Sequence, residues 1–551
     1  MNSDGLSSGL EKKRLGMVVS GSLTDGVEVR LDSDVSTEEV KVGTFVNLQG
    51  EKLRFFGVVT DIALASTDPA MRLSPPDVSN PFIASVVSGT AAYGTIEVEP
   101  SLALRIDSFD ALDGPQPAKT VPPHFSEASL ASEEDIQLIF GSEDERHFWI
   151  GNPLDMETKL CLDIHELVKR SNGVFGKSGT GKTFLTRLLL IGILQSGAAT
   201  NLVFDMESEY GWKGYVEGAA EVKGLKQLFS SKVAVFSLDE ESSKRRGLTP
   251  DYVVRIGLDE IEPEDVQLLG SMWNLSDIAT EATFSLQRHF GRKRWLSDFL
   301  DLKGEALQEV AVAISVPSST VSALHNRLTR LKRFDFIDEG SGHDSVGQIL
   351  SYLDRGIHVV LEFGRYGSDV AAYILVANLL TRRIYQRYQQ MTERAMGERG
   401  QEPRPLVITV EEAHKFLTPG IAGKTIFGTI AREMRKYNVT LLIVDQRPSG
   451  IDDEVMSQLG TKITCLLDND KDTDAVLSGV SGSRKMRSVV SRLDSKQQAL
   501  IFGHAVPMPV VVRVRDYGTP ESYRELGFME AAELKAQVQR DTDDLFGPAA
   551  R

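Results

Sequence analysis

Short apolar runs separated by segments of helical periodicity dominate the chain from about residue 172 onward. The runs are rich in β-branched residues and lack polar alternation, so they predict parallel strands covered on both faces. The predicted strands are VF, NLVFD, KVAVFSL, HVVLEF, LVITVEE, TLLIVDQ and ITCLLD, and the most apolar helix is FLTRLLLIGILQ. This alternation predicts a doubly wound α/β core.

The strand signal is absent between about residues 245 and 345. The segment EDVQLLGSMWNLSDIATEATFSLQRHF and the stretch around Val321–Leu331 have helical spacing instead. We interpret residues 245–345 as a helical insertion in the α/β core.

The N-terminal region, residues 15 to about 110, has a different pattern. Its apolar runs are short and are broken by Gly, Asp and Asn turns, which predicts a small β-barrel. Prolines follow at 115, 117, 122 and 123 and indicate a linker. We therefore assign residues 1–120 to the barrel and 121–551 to the α/β core, with a C-terminal tail over about 520–551.

Composition narrows the class of protein. Hydrophobic residues make up 41% and charged residues 25% of the 551 residues, which indicates a folded chain. The two cysteines, Cys161 and Cys465, favour a reducing compartment. The start of the chain has no signal-peptide pattern, and the longest apolar run, Leu188–Leu194, is too short to span a bilayer. We expect a cytoplasmic protein with no membrane partner.

The negative charge is unevenly distributed. The net charge is −17, and residues 21–160 hold 24 Asp and Glu against 9 Lys and Arg. The rest of the chain is nearly balanced. An acidic N-terminal quarter fits a protein partner better than a phosphate backbone. Basic clusters lie elsewhere, and each is more often a solvated face than a DNA contact; they are Arg288 to Arg294, Arg327 to Arg333 and Arg484 to Arg492.

A phosphate-binding loop is predicted between a short apolar strand and the most apolar helix. The pattern G-x-x-x-x-G-K-[ST] is met by Gly176, Lys177, Ser178, Gly179, Thr180, Gly181, Lys182 and Thr183. The glycines let amide groups point at phosphate oxygens. Lys182 would reach the β- and γ-phosphates of ATP, and the Thr183 hydroxyl would bind Mg²⁺.

Two carboxylates end the apolar strand VITV. We assign Glu411 to Mg²⁺ and Glu412 to the attacking water, as general base. The alternative is a solvated acidic turn after a buried strand. Since no second His or Cys stands at ligand spacing, His414 fits a structural or relay role better than a metal ligand.

Further polar residues follow the remaining strands. Gln446 is a candidate γ-phosphate sensor, with a turn-capping role as the alternative. Arg432 and Arg435 lie on a predicted helix where an arginine finger could form, although surface salt bridging is the better interpretation of their spacing alone. The acidic stretch Asp205-Met-Glu-Ser-Glu209 follows the second core strand, and the sequence leaves open whether it faces nucleotide, a subunit interface or solvent.

These motifs together resemble the HerA-type ATPases of the FtsK/HerA group. The resembling segments are RSNGVFGKSGTGKTFL, FDMESEYG, VITVEEAHKFL and AREMRKYNVTLLIVDQRPS, within residues 13–520. The segment FDMESEYG is similar to the family's Asp-x-x-Gly-Glu-Tyr stretch, with Ser208 where Gly is usual. Glu411 stands where Asp is commoner, and Asp445 stands where a small hydroxyl residue is usual.

The resemblance implies an α/β fold, a RecA-like P-loop ATPase core with a helical insertion preceded by a small N-terminal β-barrel. It implies a homohexamer that moves double-stranded DNA with ATP and Mg²⁺, and a barrel that docks a nuclease-type or Sir2-like effector in DNA end processing or anti-phage defence. It makes Arg435 the trans-acting arginine, with Arg432 as the fallback.

Two other functions remain open. One is a scaffold ring that assembles an effector and uses ATP as a switch rather than fuel, which the acidic N-terminal quarter also suits. The other is a coupling ATPase for conjugation or secretion. That class usually carries transmembrane helices, for which the sequence gives no signal.

Overall fold

The computed structural model divides the chain into two compact units. The first unit comprises Met1–Leu185 and Ile443–Arg515, and the second comprises Thr186–Leu442 and Asp516–Arg551. The structure describes residues 13–106, 114–215, 221–270, 272–339, 342–398, 402–433, 436–479 and 482–528.

A closed β-barrel forms the N-terminal part of the first unit. Its elements are β1 (Arg14–Ser22), β2 (Gly26–Leu31), β3 (Phe45–Gln49), β4 (Leu53–Ser66), α1 (Pro81–Thr90), β5 (Ala92–Arg105), β6 (Gln116–Pro117) and β7 (Glu127–Leu130). The strand order is β2-β1-β7-β3-β4-β5, and β2 also pairs with β5, which closes the barrel. Inward-facing apolar residues such as Val29, Val46 and Ile96 fill it and are fully buried.

The barrel extends beyond the predicted boundary at residue 120. Its strand β7 pairs with β1 and with β3, so closure depends on Glu127–Leu130. The predicted proline linker also contains β6, whose Pro117 pairs with Leu102 of β5. The prolines mark a local break in the chain, whereas barrel closure is a pairing between distant segments, which the linker composition does not reveal.

The remaining strands are β8 (His147–Pro153), β9 (Leu160–Asp163), β10 (Asn172–Phe175), β11 (Thr200–Asp205), β12 (Lys213–Tyr215), β13 (Glu221–Lys223), β14 (Val233–Ser237), β15 (Tyr252–Val253), β16 (Ile256–Gly257), β17 (Ile337–Asp338), β18 (His358–Glu362), β19 (Leu406–Glu411), β20 (Val439–Asp445), β21 (Thr461–Thr464), β22 (Gln498–Gly503) and β23 (Val510–Val514). The seven predicted core strands correspond to β10, β11, β14, β18, β19, β20 and β21.

The remaining helices are α2 (Glu133–Phe140), α3 (Ile164–Val168), α4 (Lys182–Ser196), α5 (Leu225–Leu228), α6 (Glu240–Arg245), α7 (Pro263–Leu269), α8 (Asp277–Phe290), α9 (Trp295–Asp301), α10 (Glu305–Ala313), α11 (Ser318–Leu328), α12 (Ser345–Asp354), α13 (Val370–Glu398), α14 (His414–Leu417), α15 (Ile426–Glu433), α16 (Asp453–Gln458), α17 (Asp470–Leu477), α18 (Ser483–Ser491) and α19 (Pro520–Glu525). Of the predicted C-terminal tail, residues 529–551 lie outside the described residues.

The sheet of the first unit is mixed. β10 pairs in parallel with β21, and β22, β23, β8 and β9 then follow as antiparallel neighbours. These four antiparallel strands were not among the strands predicted from the apolar runs. Two of them, β8 and β9, lie upstream of the phosphate loop, in residues assigned to the α/β core without a predicted strand.

The barrel packs on helix α18 within the first unit. Lys485 forms an ion pair with Glu97 at 3.1 Å. The Ser488 hydroxyl donates to the carbonyl oxygen of Thr60 at 2.8 Å. The basic cluster from Arg484 to Arg492 therefore serves in part to hold the acidic barrel.

The sheet of the second unit is parallel, with the strand order β15-β14-β18-β11-β19. Helices α7 to α11 follow β16 and form the insertion, whereas α12 contacts the core strand β18 and α13. Together with the barrel and the mixed sheet of the first unit, this architecture confirms the predicted fold class.

Buried ion pairs join the helical insertion to α13. Arg382 of α13 lies 2.7 Å from Asp265 and 3.2 Å from Glu262, both at the start of α7. The other two basic clusters contribute surface pairs, such as Arg292 with Glu262 at 2.6 Å and Lys332 with Glu339 at 2.8 Å. Because these side chains pair with carboxylates of the same unit, their charge pattern does not by itself indicate a DNA-binding face.

No single helix among the described residues has both the length and the apolar composition of a membrane span. The segments Glu305–Ala313 and Ser318–Arg333 pass that test of length and composition only when taken together, and a bend of 115° separates them.

Candidate functional site

The phosphate loop joins the buried strand β10 to helix α4, which begins at Lys182. Its three glycines have left-handed backbone angles, with φ of +151° at Gly176, +79° at Gly179 and +94° at Gly181. L-residues with a Cβ rarely adopt these angles, so the glycines are what lets the chain curl here. A curled loop that leads into a helix N-terminus presents amide groups to an anion.

The base of the loop is tightly packed. A Cβ on Gly176 would lie 2.8 Å from the Cβ of Cys465 and 2.8 Å from the Thr180 hydroxyl. The Lys177 amide donates to the carbonyl oxygen of Leu466 at 3.1 Å, which ties the loop to the chain that follows β21. The loop therefore has little room for a larger residue at its first position.

Polar side chains of the loop converge on the carbonyl oxygen of Lys177. The Lys182 ammonium donates to it at 2.9 Å, and the Thr180 hydroxyl donates at 2.8 Å. Thr183 is half-buried in the first turn of α4, while Ser178 and Gly179 are exposed. The lysine is thus held at the loop itself, where a bound phosphate chain would need its charge.

Three carboxylates stand in a row at the carboxyl ends of neighbouring parallel strands in the second unit. They are Asp205 of β11, Glu362 of β18 and Glu411 of β19. Asp205 is in register with Glu362, and the residue pair before Glu411, Phe204 and Val410, is also in register. Carboxyl ends of parallel strands form the usual ligand edge of an α/β sheet. We call these three residues the carboxylate row.

Each carboxylate of the row has a different partner. Asp205 accepts hydrogen bonds from the backbone amides of Glu209, Tyr210 and Gly211 at 2.8, 2.8 and 3.1 Å. Glu362 pairs with the guanidinium of Arg246. Glu411 accepts from the Tyr210 hydroxyl at 2.9 Å through Oε1. These partners offset part of the cost of burying three acids side by side.

Burial raises the pKa values of the row. The pKa of Glu411 rises to about 8, first because the side chain is buried and second because Asp205 is near. The pKa of Asp205 rises to about 7 for the same reason, with Glu362 as the neighbouring charge. Such groups favour a nearby cation, since it would stabilise their ionised forms.

The free oxygen of Glu411 fits a metal ligand. Oε2 is buried and accepts no hydrogen bond from the part of the chain that the structure describes. No cluster of three His, Cys, Asp or Glu side chains suited to a metal occurs among the described residues. Mg²⁺ at a nucleotide usually takes only one or two protein ligands and completes its shell with phosphates and water, so a single carboxylate oxygen fits it.

Glu412 differs from its neighbour in backbone and in exposure. It has a left-handed backbone with φ of +49°, and its side chain is 29% exposed. Its Oε2 lies 3.5 Å from Nδ1 of His414, which fits the relay role considered for that histidine. Strained backbone angles in non-glycine residues cluster at functional sites. One buried and one accessible carboxylate in sequence suit a metal ligand and a water-activating base.

The other predicted residues lie as follows. Gln446 is exposed directly after β20, while Asp445 before it is buried and accepts from the Arg447 amide at 2.6 Å. Arg432 is exposed in the last turn of α15. Arg435 lies outside the described residues. The loop residues and Gln446 belong to the first unit, and Glu411, Glu412 and Arg432 belong to the second.

Sequence reasoning missed several groups around the carboxylate row. Tyr210 and Tyr373 both contact Glu411, the latter by donating from its hydroxyl to the Glu411 carbonyl oxygen at 3.0 Å. Glu362 and its partner Arg246 were not assigned either. A signal existed for Glu362, because it ends a predicted core strand as Asp205 and Glu411 do. Arg246 and Tyr373 are brought in only by tertiary structure.

The family model described as "Helicase HerA, central domain" matches residues 148–384, a segment that contains the phosphate loop, the Asp205 stretch and Glu362. Curated HerA proteins match over most of the chain. The "DNA double-strand break repair helicase HerA" of Sulfurisphaera tokodaii is 24% identical over 507 residues, which is 91% of this chain and 92% of that protein. The chain is similar to HerA-type ATPases along most of its length.

A second HerA-type relative is the "DNA double-strand break repair helicase HerA" of Pyrococcus furiosus, 23% identical over 414 residues, 70% of this chain and 72% of that protein. Among solved structures, the bacterial conjugative coupling protein TrwB matches at 12% identity with a TM-score of 0.46, over 73% of this chain and 95% of that one. VirB4 of Thermoanaerobacter pseudethanolicus matches at 13% identity with a TM-score of 0.44, over 69% and 99%.

Proposed function

We propose that this protein is a HerA-type, ATP-driven translocase of double-stranded DNA that works as a homohexameric ring. The phosphate loop carries the proposal, because its left-handed glycines and the Lys182 ammonium make a site for a triphosphate. HerA-type relatives, named as DNA double-strand break repair helicases, support DNA as the polymer that is moved.

Each residue of the site has a proposed role in hydrolysis. The loop from Gly176 to Thr183 binds the phosphates, and Lys182 holds the β- and γ-phosphates. Thr183 and Glu411 hold Mg²⁺, which when bound offsets the charge that develops on the phosphate oxygens. Glu412 takes a proton from the attacking water as general base. Gln446 senses the γ-phosphate.

The trans-acting arginine is proposed to be Arg435, with Arg432 as the fallback. An arginine from a neighbouring subunit would stabilise the charge of the transition state. This assignment rests on the resemblance of the AREMRKYNV segment and predicts that hydrolysis requires assembly.

The N-terminal barrel is proposed to dock a nuclease-type or Sir2-like effector, in DNA end processing or anti-phage defence. The excess negative charge of residues 21–160 supports a protein partner at this region rather than DNA. Both cysteines are buried and form no disulfide, which is consistent with a cytoplasmic location.

The experiment measures ATP hydrolysis with and without linear double-stranded DNA. Lys182→Ala and Glu412→Gln are each expected to lower the DNA-stimulated rate at least about 100-fold. Lys169→Ala, which breaks only an exposed pair with Glu166, serves as the control and should retain the wild-type rate. An assembled ring whose hydrolysis rate does not change with DNA would contradict the translocase.

The acidic barrel also supports a second candidate, a scaffold ring that switches its effector by binding ATP. The two functions differ in whether effector output needs hydrolysis. If a Glu412→Gln ring binds ATP and still gives full effector output, the scaffold is favoured; if output disappears with hydrolysis, the motor is favoured.

A further inference from the structure

Tyr210 lies beside the proposed metal carboxylate. Its side chain is fully buried, and its hydroxyl donates to Oε1 of Glu411 at 2.9 Å. The other oxygen, Oε2, is buried and accepts no hydrogen bond within the described ranges. One oxygen of Glu411 is therefore fixed by the tyrosine, while the second has no hydrogen-bond partner among the described residues.

Tyr210 is itself held rigidly from two sides. Its backbone amide donates to Asp205, together with the amides of Glu209 and Gly211, so the segment is tied to the end of β11. Arg187, only 1% exposed, donates to the Glu209 carbonyl oxygen, and its guanidinium lies 6.0 Å from the centre of the Tyr210 ring. A side chain fixed in this way can orient another group without moving.

We propose that Tyr210 is a positioning residue for the metal site: its hydroxyl holds Glu411 in the orientation that directs Oε2 to Mg²⁺. The inference rests on the proposed role of Glu411 as a metal ligand. Groups that hydrogen-bond to a metal ligand set its orientation, and their loss typically weakens metal binding about 10- to 100-fold.

The chain offers a matched control in Tyr373. It is also fully buried, and its hydroxyl also donates to Glu411, but to the main-chain carbonyl oxygen at 3.0 Å. Replacing either tyrosine by phenylalanine removes one hydroxyl and one hydrogen bond to the same residue. Only Tyr210 contacts the carboxylate, so a purely structural effect should be similar for both variants.

The experiment titrates the full chain with Mn²⁺ in the presence of a non-hydrolysable ATP analogue and follows free Mn²⁺ by electron paramagnetic resonance. Tyr210→Phe is expected to weaken Mn²⁺ binding about tenfold, and Tyr373→Phe less than about threefold. Analogue binding without metal, measured in EDTA, should be unchanged in both variants. Circular dichroism melting confirms that the variants are folded.

A second variant tests the same contact with the tyrosine in place. Glu411→Asp shortens the side chain by one methylene, so the carboxylate no longer reaches the hydroxyl in the same geometry. Mn²⁺ affinity should fall about tenfold, and adding Tyr210→Phe should lower it little further, because both changes remove one interaction. Fully additive losses would overturn the inference.

Glu411→Gln separates this inference from the proposed function. If Glu411→Gln abolishes Mn²⁺ binding while Tyr210→Phe binds like the wild type, only the positioning role is overturned. If Glu411→Gln itself leaves Mn²⁺ affinity unchanged, the assignment of Glu411 to the metal is wrong, and the role of Tyr210 falls with it.

Discussion

The phosphate loop and the carboxylate row solve opposite physical problems. The loop is made mainly of backbone: three glycines with left-handed angles let it curl, and two of its residues are exposed. The row is made of side chains. Asp205 and Glu362 are fully buried, as is Oε2 of the half-buried Glu411. Each acid has its own partner in Tyr210, Arg246 or the amides after Asp205. Backbone shape governs the first region, and electrostatic compensation governs the second.

Because of this difference, the phosphate loop and the carboxylate row should be sensitive to different kinds of substitution. In the loop, adding a single Cβ at a glycine alters the allowed backbone angles. In the row, removing one partner leaves a buried charge without compensation. We therefore expect the phosphate loop to be most sensitive to replacement of a glycine. We expect the carboxylate row to be most sensitive to removal of the cation that pairs with a buried acid.

The largest expected effect of a backbone change on ATP binding is that of Gly176→Ala. The new Cβ would lie 2.8 Å from the Cβ of Cys465, at a φ of +151° that alanine rarely adopts. Strain of about 1–3 kcal/mol corresponds to a loss of ATP affinity of about 5- to 150-fold, measurable by calorimetry. The matched control is Gly197→Ala, where φ is +64° and nothing lies within 4 Å of the new Cβ.

We expect Gly197→Ala to lower stability slightly and to leave ATP affinity unchanged. If Gly176→Ala binds ATP like the wild type, the loop does not depend on backbone shape, and the contrast between the two regions is lost.

The largest expected effect on stability is that of Arg246→Met. The variant keeps the apolar stem but leaves Glu362 buried without its cation, which should lower the free energy of unfolding by about 3 kcal/mol. The pKa of Glu362, already raised by burial, would rise further. Since a raised folded-state pKa removes stability as pH rises, the loss should be larger at pH 8 than at pH 6.

Urea denaturation at the two pH values measures this loss. Adding Glu362→Gln to Arg246→Met should restore much of the stability, because the buried charge is then gone. A loss below about 0.5 kcal/mol in Arg246→Met, the size of an ordinary surface substitution, would show that the row does not need its cation.

The phosphate loop and the carboxylate row also differ in how far they can be predicted from the sequence. The phosphate loop is a contiguous pattern, so its residues, its flanking strand and its helix follow from the sequence, as do the seven apolar strands of the core. The carboxylate row joins residues more than 200 positions apart, so Glu411 is recognisable from its strand, but its hydrogen bond with Tyr210 is not. Barrel closure by β7 escapes prediction for the same reason.

A smaller effect on stability is expected at His358, a buried titratable residue outside the carboxylate row. His358, 4% exposed at the start of β18, accepts a hydrogen bond from the Asn201 amide through Nδ1 at 3.0 Å. Burial lowers its pKa to about 4. A depressed folded-state pKa gives stability that is complete above the unfolded pKa of about 6.5 and is lost as pH falls towards 4.

We therefore expect His358→Asn to remove about 1–2 kcal/mol of the difference in stability between pH 7 and pH 5. Thermal unfolding across this range measures it. The control is His343→Asn, at an exposed histidine that lies 3.0 Å from Asp338. Equal slopes for wild type and His358→Asn would contradict the assignment.

The smallest expected effect is that of a substitution at Ser208. This residue has a left-handed backbone angle, as the glycines of the phosphate loop do, but it lies beside the carboxylate row. Ser208 has a φ of +58°, in the segment that Asp205 anchors. A left-handed angle costs a non-glycine residue about 1–2 kcal/mol, and glycine loses about 0.5–1 kcal/mol more entropy on folding. Ser208→Gly should therefore stabilise the second unit by roughly 0.5 kcal/mol, as measured by urea denaturation.

Ser208→Ala separates backbone from side chain at this position. It keeps the Cβ, so it should give none of the stabilisation that glycine gives. If both variants stabilise equally, the serine side chain rather than its backbone angle is responsible. If glycine destabilises, the hydrogen bonds from the 209–211 amides to Asp205 depend on a stiff turn at Ser208, and rigidity of the backbone contributes to the carboxylate row as well.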